Sequence, residues 1–230
     1  MSSHPTSAML FAAGFGTRMK ALTRDRPKPL IEVAGRPLID HALDIATGAG
    51  IDDLIANLHY KPDMLAAHLA PRGVVLSHEQ PDILETGGGL KAALPLLRPG
   101  PVATLNTDAI WAGPNALSLL MQGWDADRMD ALLMCVPVEN AIGHAGPGDF
   151  TADPDGRIRR GPGLVYGGVQ ILKPDGLDRF SQPAFSLNLL WNDMQQAGRL
   201  FAMVYPGRWC DVGHPGGIAL AEEMLAHADV

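Results

Sequence analysis

Short apolar runs alternate with amphipathic segments from one end of the chain to the other, and no other feature narrows the fold as far. The runs at 8–13, 54–59, 74–78, 102–107, 131–138, 165–172 and 200–205 have the length of strands. Between them, 63–69, 88–97, 115–124, 185–197 and 215–227 repeat apolar residues at helical spacing. A further helix is framed by its own punctuation. Pro37 opens it, Leu38, Ala42, Leu43, Ile45 and Ala46 form its apolar stripe, and Gly48 and Gly50 close it. Strands that alternate with helices predict an α/β protein built on a mainly parallel central sheet.

The bulk numbers agree with that class. The 230 residues are 47% hydrophobic and 19% charged, which suits one domain with a core large enough to need neither disulfide nor structural metal. Residues 139 to 163 are richer in Gly, Pro and charge, and are read as an insertion over the sheet edge, with a hairpin turn at Asp153-Pro-Asp-Gly156. No internal repeat appears, so no appended β-helical domain is expected. Cys135 and Cys210 lie in apolar surroundings without C-x-x-C spacing and are read as reduced core thiols. Met121, Met134, Met194, Trp124 and Trp191 are read as core filling. The N-terminus has no basic leader and no run reaches the ~20 apolar residues of a membrane span, so a cytoplasmic protein is expected. A net charge of -7 offers no general attraction to nucleic acid or to a membrane surface, so an anionic ligand must find a local pocket of positive groups.

That pocket is sought in Leu10-Phe-Ala-Ala-Gly-Phe-Gly-Thr-Arg18, where a strand runs directly into glycines. Gly14 and Gly16 permit positive φ and close approach, so the backbone N–H groups of residues 13 to 17 can cradle phosphate oxygens. Arg18 adds a planar charged fork, and Lys28 adds a charge on a segment stiffened by Pro27 and Pro29. The pattern is not a dinucleotide fingerprint, because Met19 stands where the third glycine would be, and it is not a Walker loop. A strand-to-helix turn without function is the simpler alternative, and Lys28 between its prolines weighs against it. Two cations and a ring of amides suit a triphosphate.

Two carboxylates complete the pattern. Asp108 ends the apolar run 102–107, and Asp211 lies in Arg208-Trp-Cys-Asp-Val-Gly213. Each alone reads as a turn or N-cap residue. Both at the carboxyl ends of strands would face the edge where open α/β sheets bind ligands, and there they suit one hard cation, magnesium. Asn106, two residues before Asp108, shares its side of the strand. Farther on, in Glu79-Gln-Pro-Asp-Ile-Leu-Glu-Thr-Gly-Gly-Gly89, Gly87 and Gly88 either let backbone approach a flat base or serve a tight packing contact. Glu79 and Thr86 are the candidate side chains. The histidines show no metal-ligand spacing, and only His214, beside Asp211, stands near these candidates.

The G-x-G-T-R loop followed by P-K-P resembles the signature of the sugar nucleotidyltransferase superfamily. The resemblance implies a Rossmann-like, mixed and mainly parallel sheet of the nucleotide-diphospho-sugar transferase type. It further implies that Ala12, Ala13, Gly14, Gly16, Thr17 and Arg18 hold a nucleoside triphosphate, and that Lys28 meets the reacting phosphates. Asp108 and Asp211 would bind Mg2+, and the segment carrying Thr86 and Gly87 would recognise the base. L-E-T-G-G-G, Gly148-Asp-Phe150 and the small size are most similar to the N-acetylmuramate-1-phosphate uridylyltransferases. Mannose-1-phosphate guanylyltransferases and heptose-phosphate nucleotidyltransferases share most of these features. By this likeness Asn106, Asp149 and Gly168 contact a sugar 1-phosphate. The chain departs from that subfamily at Phe185-Ser186-Leu187, where a basic residue is the rule.

The chemistry implied needs no general base, since a sugar phosphate is already charged near neutral pH; Arg18, Lys28 and Asp108 are the residues expected to be catalytic. Two other classes compete. A nucleotide-sensing protein would not need both carboxylates, and a glycosyltransferase would need a D-x-D at a strand end, whereas Asp125-Ala-Asp127 follows a helix.

Overall fold

The computed structural model describes residues 3 to 227. At its centre lies a nine-stranded mixed sheet. Four strands form a parallel set in the spatial order Val75–His78, Asp53–Leu58, Ser7–Phe11, Val102–Asn106. The long strand Leu164–Leu172 then runs antiparallel to Val102–Asn106, and Ala131–Pro137 and Leu200–Val204 follow beyond it. The expected strands all form, with ends shifted by one or two residues.

Helices cover both faces. On one lie α1 (Leu38–Gly48), α2 (Pro62–Leu69) and α4 (Ala116–Gly123), burying Ile39, Leu43, Leu65, Leu117 and Leu120 against the sheet. On the other lie α3 (Glu85–Ala93) and α5 (Asn188–Gln196), burying Leu90, Leu190, Trp191 and Met194. The last helix, α6 (Pro215–Ala226), packs Ala221 and Met224 on a third cluster that includes Met19, Ile31, Ile110 and Val212. The turn chemistry behaves as read. Pro37 caps α1, Gly50 takes φ 81 after it, and Asn115 caps α4 by accepting the Ser118 N–H at 2.9 Å.

Residues 139 to 163 contain the expected hairpin, Phe150–Ala152 against Ile158–Arg160. It is bonded into the central sheet through Phe150 and Leu164. A second sheet, not foreseen from the amino acids, pairs Arg208–Asp211 antiparallel with Ala109–Ala112 and parallel with Ala141–Ile142. These strands are too short to show a period. Their pairing places the two candidate carboxylates together, because Asp211 lies opposite Ala109 and the Val212 N–H donates to the Asp108 carbonyl at 2.9 Å.

Cys135 and Cys210 are buried free thiols, and burial pushes Cys210 up to about 11. Trp124 and Trp191 are core residues, as are Met134 and Met194, while Met121 is half-buried. No helix among the described residues is long and apolar enough to cross a membrane.

Candidate active site

The parallel strands Ser7–Phe11, Asp53–Leu58 and Val102–Asn106 end side by side, and their carboxyl ends open into a cavity of about 320 Å³. Ala12, Ala13, Gly14, Gly16, Thr17, Arg18, Lys28, Glu79, Thr86, Asn106 and Asp108 line it. All come from the sequence candidates. Asn57, Ile83, Glu85 and Gly213 also line it and were not singled out from sequence.

The glycine loop is held from below. Ala12 donates its N–H to Asn57 Oδ1 at 2.7 Å, and Asn57 Nδ2 donates to Glu79 Oε1 at 2.7 Å. The second carboxylate oxygen of Glu79 accepts the Leu84 N–H at 2.7 Å. Glu79 is 1% exposed and Asn57 3%. Both oxygens of the carboxylate are therefore engaged by the protein, and Glu79 acts on the loop through Asn57. Asn57 had a signal in sequence: it is an amide inside an apolar strand, and a buried amide requires partners. Among the described residues, no acceptor meets the N–H groups of residues 13 to 17, which stay available to an anion.

The two glycines of the loop serve different ends. Only Gly16 uses the left-handed region, at φ 63, and a Cβ there would stand 2.8 Å from the Lys28 Cβ and 2.9 Å from the Thr23 methyl. Gly14 does not take positive φ, contrary to the sequence reading, and a Cβ there would meet nothing within 4 Å. So Gly16 is required by the lysine that passes over it, and the loop and Pro27-Lys28-Pro29 form one unit.

Lys28 is almost buried, with its side chain 11% exposed, and its Nζ donates to Asp108 Oδ2 at 2.8 Å. Asp211 stands nearby. Burial raises its pKa and Asp108 raises it further, while Lys28, Arg18 and His144 oppose that rise. A Cβ at Gly213 would lie 2.8 Å from both Arg18 Nη1 and Asp211 Oδ2, so the absence of a side chain at Gly213 lets the guanidinium and the carboxylate share that space. A pair of hard, mutually repelling carboxylates beside two cations suits a divalent ion bound with polyphosphate.

Of the remaining candidates Thr86 lines the cavity, whereas Gly87, Gly168 and Asp149 lie outside its lining. The Gly87 N–H, with that of Gly88, donates to the Phe185 carbonyl, and Cβ atoms at 87, 88 and 89 would collide with Phe185, Pro183 and Glu79. Those glycines serve packing, the simpler of the two alternatives, and their amides are not free for a base. Thr86 accepts the Leu187 N–H at 3.0 Å and keeps its own O–H proton to donate. Gly168, at φ 96, sits against Asn106, where a Cβ would approach to 2.9 Å. Asp149 lies farther along, accepting the Tyr166 N–H on Oδ2 at 2.9 Å.

A phosphate-type loop, a lysine held against a carboxylate and a second carboxylate, all at the carboxyl edge of a Rossmann-like sheet, define a site for nucleotidyl transfer. The comparisons with known proteins agree. The model of the MobA-like NTP transferase domain matches residues 8–155. An N-acetylmuramate alpha-1-phosphate uridylyltransferase of Caulobacter vibrioides is 42% identical, over 99% of this chain and 100% of that one. Its namesake from Neisseria meningitidis is 33% identical, over 90% of this chain and 92% of that one. The crystal structure of HddC from Yersinia pseudotuberculosis complexed with GMP-PN shares the fold, with a TM-score of 0.75 at 22% identity over 95% of this chain and 98% of that chain. The chain belongs to the MobA-like NTP transferase family, among its sugar-phosphate nucleotidyltransferases.

Proposed function

We propose that the protein joins UTP to N-acetylmuramate 1-phosphate, releasing pyrophosphate and the nucleotide-activated sugar. The observation that carries this reading is the end-to-end likeness to the Caulobacter vibrioides uridylyltransferase, at 42% identity with no part of that relative left uncovered. The cavity supports the reaction class. It presents free loop amides, Arg18, Lys28 and Asp108 to one space, with Asp211 beside Arg18 at its Gly213 rim.

An oxygen of the sugar phosphate attacks the α-phosphorus of UTP. A new O–P bond forms, the bond from that phosphorus to the bridging oxygen breaks, and its electron pair leaves with pyrophosphate. The second ionisation of a phosphate monoester falls near pH 6, roughly, so the nucleophile needs no base. The loop amides and Arg18 hold the triphosphate in line, and Lys28 donates to oxygens whose charge grows as the bond breaks. Among the described residues, no three His, Cys, Asp or Glu side chains converge on one point. Asp108 and Asp211 would therefore hold Mg2+ together with phosphate oxygens of the substrate. When bound, the ion supplies charge neutralisation at the phosphates. In this reading the protein is a single cytoplasmic domain whose partners are the two small substrates.

The test is product identification by mass spectrometry after incubation with magnesium and paired substrates. UDP-N-acetylmuramate from UTP and N-acetylmuramate 1-phosphate supports the reading. Product only from another pair, such as GTP with mannose 1-phosphate, replaces the substrates and keeps the chemistry; no product from any pair removes the chemistry as well.

A further inference from the structure

Beyond Asn106 the central sheet contains a gap. The strand Leu164–Leu172 is bonded to Phe150 at Leu164 and to Val102–Asn106 only from Val169 onward. Between those points its edge is bare except where Asp149 accepts the Tyr166 N–H. The register with Ala131–Pro137 also slips there, between Tyr166 and Gln170. Along this stretch Gly168 lies against Asn106 of the cavity lining, and Asp149 stands at the far, hairpin end.

One cation reaches the far end, and it is held unlike its neighbours. In the same hairpin Arg157 and Arg159 pair with Asp155 and Asp153. Arg160 instead donates to a neutral amide, Asn188 Oδ1, at 2.8 Å. Its guanidinium lies 4.6 Å from the Phe150 ring centre and 5.5 Å from that of Trp191. Asn188 opens α5, and the preceding residue, Leu187, is tied to Thr86 in the cleft. Arg160 also lies within electrostatic range of Asp149. One line from the cavity, Thr86–Leu187–Asn188, thus ends at this side chain, and Asp149 lies within its reach. Hydroxyls of a neutral sugar need only amides and carboxylates. A guanidinium fixed by aromatic stacking, with N–H groups to spare, suits a carboxylate bound through two parallel hydrogen bonds.

We propose that Arg160 reads an acidic substituent on the sugar, and so selects a carboxylate-bearing sugar phosphate over its neutral counterpart. This rests on the substrate reading above. The test compares N-acetylmuramate 1-phosphate with N-acetylglucosamine 1-phosphate, which lacks the carboxylate, each with UTP. Arg160→Gln should raise the KM of the acidic sugar by about 10–100-fold, leaving the KM of UTP and the KM or competitive inhibition constant of the neutral sugar within about twofold. Arg160→Lys should recover part of the loss, since charge returns without the fork. Equal losses on both sugars, or no loss on either, would overturn the proposal. A wild-type protein that turns over only neutral sugars would instead overturn the substrate reading, and this claim with it.

Discussion

At the nucleotide end of the cleft, three adjacent parallel strands each deliver a residue to the cavity: Ala12 just after Ser7–Phe11, Asn57 within Asp53–Leu58, and Asn106 at the end of Val102–Asn106. At the other end stand an antiparallel strand with a slipped register, a hairpin and the first turn of α5, which the proposed reading assigns to the sugar. The first construction is rigid, because Asn57 and Glu79 tie loop to sheet through buried bonds of 2.7 Å. The second depends on pairings between segments far apart in the chain. In the proposed reading the chemistry shared by all substrates sits on contiguous strand-loop units, and discrimination sits where a hairpin can change without disturbing them.

Substitutions at the two ends should separate these roles. The largest effect belongs to Lys28→Ala. It removes the donor at the breaking bond and should lower kcat by about 10²–10³-fold in steady-state assays, with only a small shift in thermal midpoint. A loss confined to KM would show that Lys28 merely binds. Next comes Asp211→Asn, which should lower turnover by a smaller factor, about 10–10²-fold, yet stabilise the protein when metal is chelated. A carboxyl whose pKa is raised on folding contributes stability at low pH and loses it as pH rises through the raised value. The metal-free wild type should therefore weaken as pH climbs through and just above the ordinary carboxylate range, and the asparagine variant should not. Melting curves at several pH values in chelator check this.

Glu79→Ala leaves Asn57 Nδ2 and the Leu84 N–H without acceptors in a buried place. It should cost about 2–4 kcal/mol of stability in denaturant titrations and raise the KM of UTP more than that of the sugar. An equal rise for both substrates would break the division between the two ends. The smallest effect is expected from Gln170→Leu. This severs the buried chain in which Gln170 donates to Thr104 at 3.0 Å and accepts from the Trp191 indole at 2.9 Å. A loss of about 1–3 kcal/mol is expected, with the KM of the sugar moving and that of UTP unchanged, because Trp191, on α5, underlies Arg160.

The same contrast explains what could be read from the amino acids. The glycine loop, Asp108 and Asn106 were legible because each lies on or just after a strand whose apolar run announces it, and Lys28 because two prolines flank it. Asp211 was legible as a residue but not as a location, since the small sheet that carries it joins two-residue and four-residue strands across the second half of the chain. Asn57 was passed over as part of an apolar strand. The roles of the glycines were only partly visible: Gly16 answers to Lys28 and Gly89 to Glu79, whereas Gly87 and Gly88 answer to a segment almost a hundred residues away. Nothing local in Arg160 distinguishes it from Arg157 and Arg159. Only its partner does, the Asn188 amide where the other two hold carboxylates.

The most direct test of the account is pyrophosphate release by the wild-type protein in magnesium, measured with UTP alone, with N-acetylmuramate 1-phosphate alone and with both. Release that requires both substrates, and falls to background in Lys28→Ala, is the predicted result. Release from UTP alone at the same rate, or a Lys28→Ala protein as fast as the wild type, would contradict it.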